Sequence, residues 1–268
     1  MNWSPDSASA SPVSIRLDPP SATIVLKRPE RGNACSRSLV AGLSEALADL
    51  HQEKRVRCVI LTGAGDAFCT GTDLVELGAA SLADDRHQQW FDDAARFSEL
   101  LKNLLRFPKP IIAAVNGPAL GTGLAIVAAC DLTIASPQSK FGVPEVRRGL
   151  TSSLTLPLLA FRTTAGYAAD LALRGEVIDV DQAFRIGLVS QIVPHDQLWA
   201  KSNELAAQIA LGSAEAVALT KRVLNETVGE SILTQLTSAA AAMASMRTTE
   251  NAEEGVRAFL QKRPPSWN

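Results

Sequence analysis

Two glycine turns and one carboxylate carry the chemistry that can be read in these 268 residues. The first turn is Gly117-Pro118-Ala119-Leu120-Gly121-Thr122-Gly123, set between an apolar run at 111–115 and a small-residue segment at 124–130. A glycine turn that feeds a helix leaves backbone N–H groups unpaired and pointing outward. Such groups can bind an anion or a developing negative charge. The second turn follows another apolar run, at 56–61, and contains Gly63, Gly65 and Gly71 before Thr72-Asp73. Two such strand–turn–helix units in one sheet can aim two sets of N–H groups at one point, which is what an oxyanion hole needs. Downstream, Phe141-Gly142-Val143-Pro144-Glu145 ends on a lone carboxylate able to move protons beside such a hole.

Other chemistries find little support. His51, His87 and His195 are far apart and share no metal-ligand spacing. No G-x-S-x-G elbow is present. The glycines at 117, 121 and 123 lack the Lys-Ser/Thr of a P-loop and have the wrong spacing for a dinucleotide fingerprint. A net charge of -2 and 5% aromatic residues point away from nucleic acid and anionic membranes. Cys35, Cys58, Cys69 and Cys130 have no C-x-x-C spacing and lie in or beside apolar segments, so buried free thiols in a reducing compartment are expected. No apolar run approaches the roughly 20 residues that span a bilayer. The N-terminus has no apolar h-region. A cytoplasmic protein is the expectation.

Short strands are expected at 13–17 and 22–26, paired as a hairpin, with a turn at 28–33. Ser36 can cap a helix whose apolar face includes Leu39, Leu43, Leu47 and Leu50. A short helix is expected at 74–77. The polar stretch at 79–93 reads as a mobile lid, and helical spacing resumes at 94–105 until Pro108 and Pro110 stop it. After Glu145 the pattern is mainly helical: 154–161, 164–173, 181–186, then a strand at 188–193 and helices at 196–210, 214–228, 231–246 and 251–262. The division is a flexible tail at 1–11, a mixed α/β core at 12–195 and a helical region at 196–268.

These segments resemble the enoyl-CoA hydratase/isomerase, or crotonase, family over nearly the whole chain. The resemblance rests on Arg31-Gly32-Asn33-Ala34, the run from Gly65 through Leu74, Ala114-Val115-Asn116-Gly117-Pro118-Ala119-Leu120-Gly121, Cys130-Asp131 and Phe141-Gly142-Val143-Pro144-Glu145. It continues in Ala183-Phe184-Arg185-Ile186-Gly187-Leu188-Val189, Leu219-Thr220-Lys221 and the run from Glu254 through Arg263. The resemblance implies an α/β spiral of repeated ββα turns, with C-terminal helices that build trimers, often paired into hexamers. It implies a coenzyme A thioester as substrate and no cofactor beyond that coenzyme A moiety. The thioester oxygen would sit between the backbone N–H groups of Thr72 and Thr122. The adenine end would lie along Ala67, Phe68 and Gly71, with Arg31 near a phosphate. Phe259 and Lys262 match positions that reach a neighbouring subunit's coenzyme.

The chain departs from the family pattern in ways that bear on the reaction. Family hydratases hold water with two glutamates; the first position is Ala125 here and the second is Glu145. Their glycine-rich segment beyond the second glutamate is replaced by Leu150-Thr151-Ser152-Ser153-Leu154. One glutamate suffices to carry a proton from the α to the γ carbon, so 3-enoyl to 2-enoyl isomerisation is favoured. The alternatives are hydration of a 2-enoyl-CoA and a non-catalytic acyl-CoA-binding or assembly subunit. A second acid could come from the lid, where Glu76, Asp84, Asp85, His87 and Asp92 lie. Threonine at both donor positions narrows the pocket, and Thr122 would be strained if it needed positive φ.

Overall fold

The computed structural model describes residues 11–228 and 230–267, so nearly all of the tail expected at 1–11 lies outside the described residues. Strand β1 (Val13–Asp18) pairs antiparallel with β2 (Ser21–Leu26), as the hairpin reading expects. Ser36 caps α1 (Arg37–Gln52) by accepting from the Leu39 N–H, and Leu39, Leu43, Leu47 and Leu50 are its buried face. Then come β3 (Cys58–Gly63), α2 (Leu74–Ala80), α3 (Arg86–Arg106), β4 (Ile111–Val115), β5 (Ala119–Leu120) and α4 (Thr122–Ala129). The core closes with β6 (Leu132–Ala135), β7 (Lys140–Gly142), α5 (Leu156–Arg162), α6 (Ala165–Arg174), β8 (Val177–Asp179), α7 (Val180–Arg185) and β9 (Gln191–Ile192).

The main sheet has the order β1-β2-β3-β4-β6-β9, parallel from β2 onward, and a smaller sheet has the order β5-β7-β8. Strands β3 and β4 are apolar runs because helices cover both faces of a parallel sheet. Each unit leaves the main sheet, turns, touches the smaller layer and enters a helix. That is the α/β spiral that the resemblance implies.

The helices after residue 195 pack on this same core. Helix α8 (Leu198–Ala210) covers the back of the main sheet, where Leu198 and Ala206 meet Cys58, Ile60, Ile112 and Ala114. Helix α9 (Ala214–Val223) runs into a π-helical turn at Leu224–Val228. Helix α10 (Glu230–Met246) lies along α3, and α11 (Glu250–Leu260) lies on α2 and on the 3-10 turn Pro144–Arg148 that carries Glu145. Two distant motif fragments meet in a buried ion pair: Lys221 Nζ is 2.7 Å from Asp131 Oδ2, which also accepts from the Ile111 N–H. The pair pins α9 to the start of β4.

Several local expectations are corrected. The stretch at 79–93 is not an open lid. Arg86 begins α3, Trp90 is buried, and Asp93 binds Arg37. The apolar positions Trp90, Ala94 and Phe97 continue one helical face, which the surrounding charges masked in the sequence. The strand expected at 188–193 shrinks to Gln191–Ile192, and β8, with exposed residues either side of Ile178, was not anticipated. All four cysteines are free and buried, and burial pushes the Cys58 and Cys130 thiols up to about 12.

Candidate active site

Backbone pairing brings the two glycine turns together. Cys69 donates its N–H to the Pro118 carbonyl at 3.1 Å, and Leu120 donates back to the Cys69 carbonyl at 2.9 Å. The bridge pairs Cys69 with Ala119 in parallel. Running on in step, the two segments set Thr72 opposite Thr122, with their hydroxyl oxygens 3.5 Å apart. A second bridge ties Thr72 to Cys35: the Cys35 N–H donates to the Gly71 carbonyl at 2.7 Å and the Asp73 N–H to the Cys35 carbonyl at 3.1 Å. Asp73 then caps α2, accepting from the Val75 and Glu76 N–H groups, and is held by Arg28 at 3.0 Å.

The two candidate donors are free to act. Among the described residues, neither the Thr72 nor the Thr122 N–H donates to a protein acceptor. A glycine precedes each: Gly71 has φ 100° and Gly121 has φ 53° and ψ -121°. These glycines take the left-handed turn, so Thr122 itself opens α4 without positive φ. The strain considered for Thr122 is therefore absent, because the turn is made one residue earlier.

Glu145 reaches the same point. The 3-10 turn at Pro144–Arg148 lays its carboxylate against Gly121, where an added Cβ would collide with Oε1. Ser152 donates to Oε2 at 3.0 Å. Burial pushes the Glu145 carboxyl above the ordinary carboxylate range, and the Ser152 hydroxyl and the Arg148 guanidinium only partly counter it. Ala125, where the other family acid would stand, is fully buried in α4.

Two hollows meet at Thr72 and Asp73. A cleft of about 350 Å³ holds Arg31, Gly71, Thr72, Gly121, Glu145, Arg148 and Phe259. A larger cavity of about 700 Å³ starts from Thr72 and Thr122 and runs between α1, α2, α3 and α10. Of the expected residues, Thr72, Gly71, Arg31, Phe259 and Glu145 thus share one cleft. Phe259 lies in the cleft of its own chain, with the Arg148 guanidinium 5.2 Å from its ring centroid. Ala67 and Phe68 stand outside the cleft. Phe68 is fully buried in the core and Ala67 nearly so, and the Ala67 carbonyl accepts from the Asn33 side chain at 2.8 Å, so neither side chain lines the cleft. Lys262 is exposed and lines neither hollow. Of the lid acids, Glu76 alone lines the large cavity, and its Oε2 accepts from the Arg37 N–H at 2.9 Å.

Sequence reasoning missed Arg148 and the role of Ser152. The position of Ser152 in the segment that lacks family glycines was a usable signal. Arg148 carried none, since Phe259, whose ring its guanidinium covers, lies far along the chain.

Residues 21–268 match the family model described as enoyl-CoA hydratase/isomerase. A rat protein (Rattus norvegicus), "Enoyl-CoA hydratase domain-containing protein 3, mitochondrial", is 33% identical over 91% of this chain and 80% of its own. "Mevalonyl-coenzyme A hydratase sidH" of Aspergillus fumigatus is 35% identical over 91% of this chain and 90% of its own. A crystal structure of an enoyl-CoA hydratase/isomerase from Xanthobacter autotrophicus Py2 superposes with a TM-score of 0.86 at 28% identity, covering 95% of this chain and 98% of that one.

Proposed function

The chain belongs to the enoyl-CoA hydratase/isomerase family of acyl-CoA enzymes, and from that premise we propose that it isomerises 3-enoyl-CoA to 2-enoyl-CoA thioesters with Glu145 as the only acid/base. One observation carries this. Of the two carboxylates lining the cleft, Asp73 is tied to Arg28, while Glu145 has no ion-pair partner among the described residues and lies beside the donor pair.

The thioester oxygen accepts from the Thr72 and Thr122 N–H groups. The Glu145 carboxylate takes a proton from the α carbon, and the electron pair of that C–H bond moves onto the oxygen as a dienolate. The same carboxyl returns the proton to the γ carbon, the double bond moves from β,γ to α,β, and Glu145 is regenerated. Each donor is worth about 2.7–4 kcal/mol of transition-state stabilisation. A raised pKa suits Glu145 to both halves of the transfer. Arg31, Arg148 and Phe259 offer cations and an aromatic face to coenzyme A at the cleft mouth. No cofactor beyond the coenzyme A moiety takes part.

Hydration of a 2-enoyl-CoA is the second reading, supported by relatives whose names say hydratase. Exposed Leu211, Leu219 and Leu224 on the C-terminal helices support assembly into a homotrimer or hexamer. Four buried thiols without a disulfide fit a reducing compartment such as the cytoplasm. Among the described residues no helix is long and apolar enough to cross a membrane.

The test is the absorbance of the conjugated enoyl thioester. Its growth from 3-enoyl-CoA supports isomerisation, and its loss from 2-enoyl-CoA supports hydration. If the protein binds coenzyme A but is as slow as its Glu145→Gln variant on both, the catalytic reading is lost.

A further inference from the structure

Arg247 is a buried charged group that the packing leaves without a hydrogen bond. It is 9% exposed, it makes no hydrogen bond or ion pair among the described residues, and its Nη1 is a fully buried donor without an acceptor. It directly follows the last residue of α10, four positions after Met243, and both line the large cavity that starts from Thr72 and Thr122. The other charged groups of that cavity are engaged. Asp93 holds Arg37 at 2.8 Å, with the exposed Arg96 at 3.8 Å from the same carboxylate; Glu99 holds Lys102 at 2.6 Å; Asp73 holds Arg28 at 3.0 Å; and Glu76 accepts from the Arg37 backbone. The remaining wall is largely apolar, with Val40, Ala41, Phe97 and Leu100.

Arg247 also borders a neighbouring cavity that holds Trp90, whose indole N–H is another buried donor without an acceptor. Burial pushes the Arg247 guanidinium down to about 10, which still leaves it charged at neutral pH. A buried guanidinium with no acceptor is costly, and a planar carboxylate is the partner it fits best.

We propose that Arg247 receives a carboxylate at the far end of the acyl chain, so that the preferred substrates are coenzyme A monothioesters of dicarboxylic acids. This rests on the acyl-CoA reading of the site. The cleft with Arg31, Arg148 and Phe259 takes the coenzyme. The carbonyl is held at the threonine pair, and the acyl chain runs on through the apolar cavity to Arg247.

The test is equilibrium binding, by calorimetry, of saturated thioesters that cannot turn over. Glutaryl-, adipyl- and suberyl-CoA are compared with pentanoyl-, hexanoyl- and octanoyl-CoA, matched in chain length. The wild-type protein is expected to bind at least one carboxylate-ended member about 10- to 100-fold more tightly than its methyl-ended partner. Arg247→Met is expected to lose that preference, keep its affinity for the methyl-ended thioesters and unfold at a higher temperature. Arg247→Gln serves as the second variant should the methionine protein fail to fold. Equal or tighter binding of the methyl-ended members by wild type overturns the proposal, as does an undiminished preference in both variants. If neither series nor free coenzyme A binds, the acyl-CoA reading falls together with it.

Discussion

Replacing Gly121 with alanine is expected to disable the site while leaving the fold intact. At φ 53° and ψ -121°, Gly121 occupies the mirror-image turn conformation that only glycine adopts at low cost. Holding an L-residue there costs about 1–3 kcal/mol. The new Cβ would also collide with Glu145 Oε1 and lie 3.0 Å from its Cδ. Two relaxations are open. If the carboxylate swings away, it breaks the 3.0 Å bond from Ser152 and leaves the reacting carbon, forfeiting about 10²–10⁴ in rate. If the turn flattens instead, the Thr122 N–H leaves its aim, which costs about 2.7–4 kcal/mol, or roughly 10²–10³ in rate. Either way kcat should fall at least about 100-fold. The melting temperature should drop by about 2–4 °C per kcal/mol of strain. The assay is steady-state turnover of enoyl-CoA thioesters, with far-UV circular dichroism as the control for folding. A folded Gly121→Ala protein with kcat within about twofold of wild type would refute the reasoning, since it would mean that neither Glu145 nor the Thr122 N–H acts where the geometry sets them.

Glu145→Gln should lower kcat by about 10²–10⁴ while raising thermal stability at neutral pH. The folded carboxyl titrates above its ordinary value of 4.5, so the unfolded chain gives up its proton first and wild-type stability falls as pH rises from there to the folded pKa. Melting curves across pH should therefore show the variant's advantage growing through that window and vanishing below it, and the acid limb of wild-type kcat should lie above 4.5. Lys221→Met strands the Asp131 carboxylate, and urea titration should show a loss of about 3–5 kcal/mol. Gly255 lets α11 touch the Arg148 backbone, since an added Cβ would strike the Arg148 carbonyl. Gly255→Ala should cost about 1–3 kcal/mol in stability and weaken coenzyme A binding, measured by calorimetry, as Phe259 is displaced.

The sequence by itself determined the family, the mixed α/β core and which residues are candidates for the chemistry. Those signals are local: apolar runs at β3 and β4, glycines ahead of Thr72 and Thr122, the Ser36 cap, and the proline that precedes Glu145. Each fixes backbone shape through its own dihedral limits or hydrogen bonds, so neighbours along the chain suffice to reveal it. Tertiary structure alone decided which distant groups meet. The bridge of Cys69 to Ala119 sets the register that faces Thr72 with Thr122, and a slip in that pairing would part the donors. Phe68 fits a binding motif by sequence yet is buried, because packing chose the core for its ring. The stretch after Ala80 looked like a lid until Trp90 found a cavity wall to fill. Arg247 looks ordinary in sequence. What sets it apart is a buried Nη1 that finds no acceptor among the described residues, and only the packing of α10 against α3 reveals that.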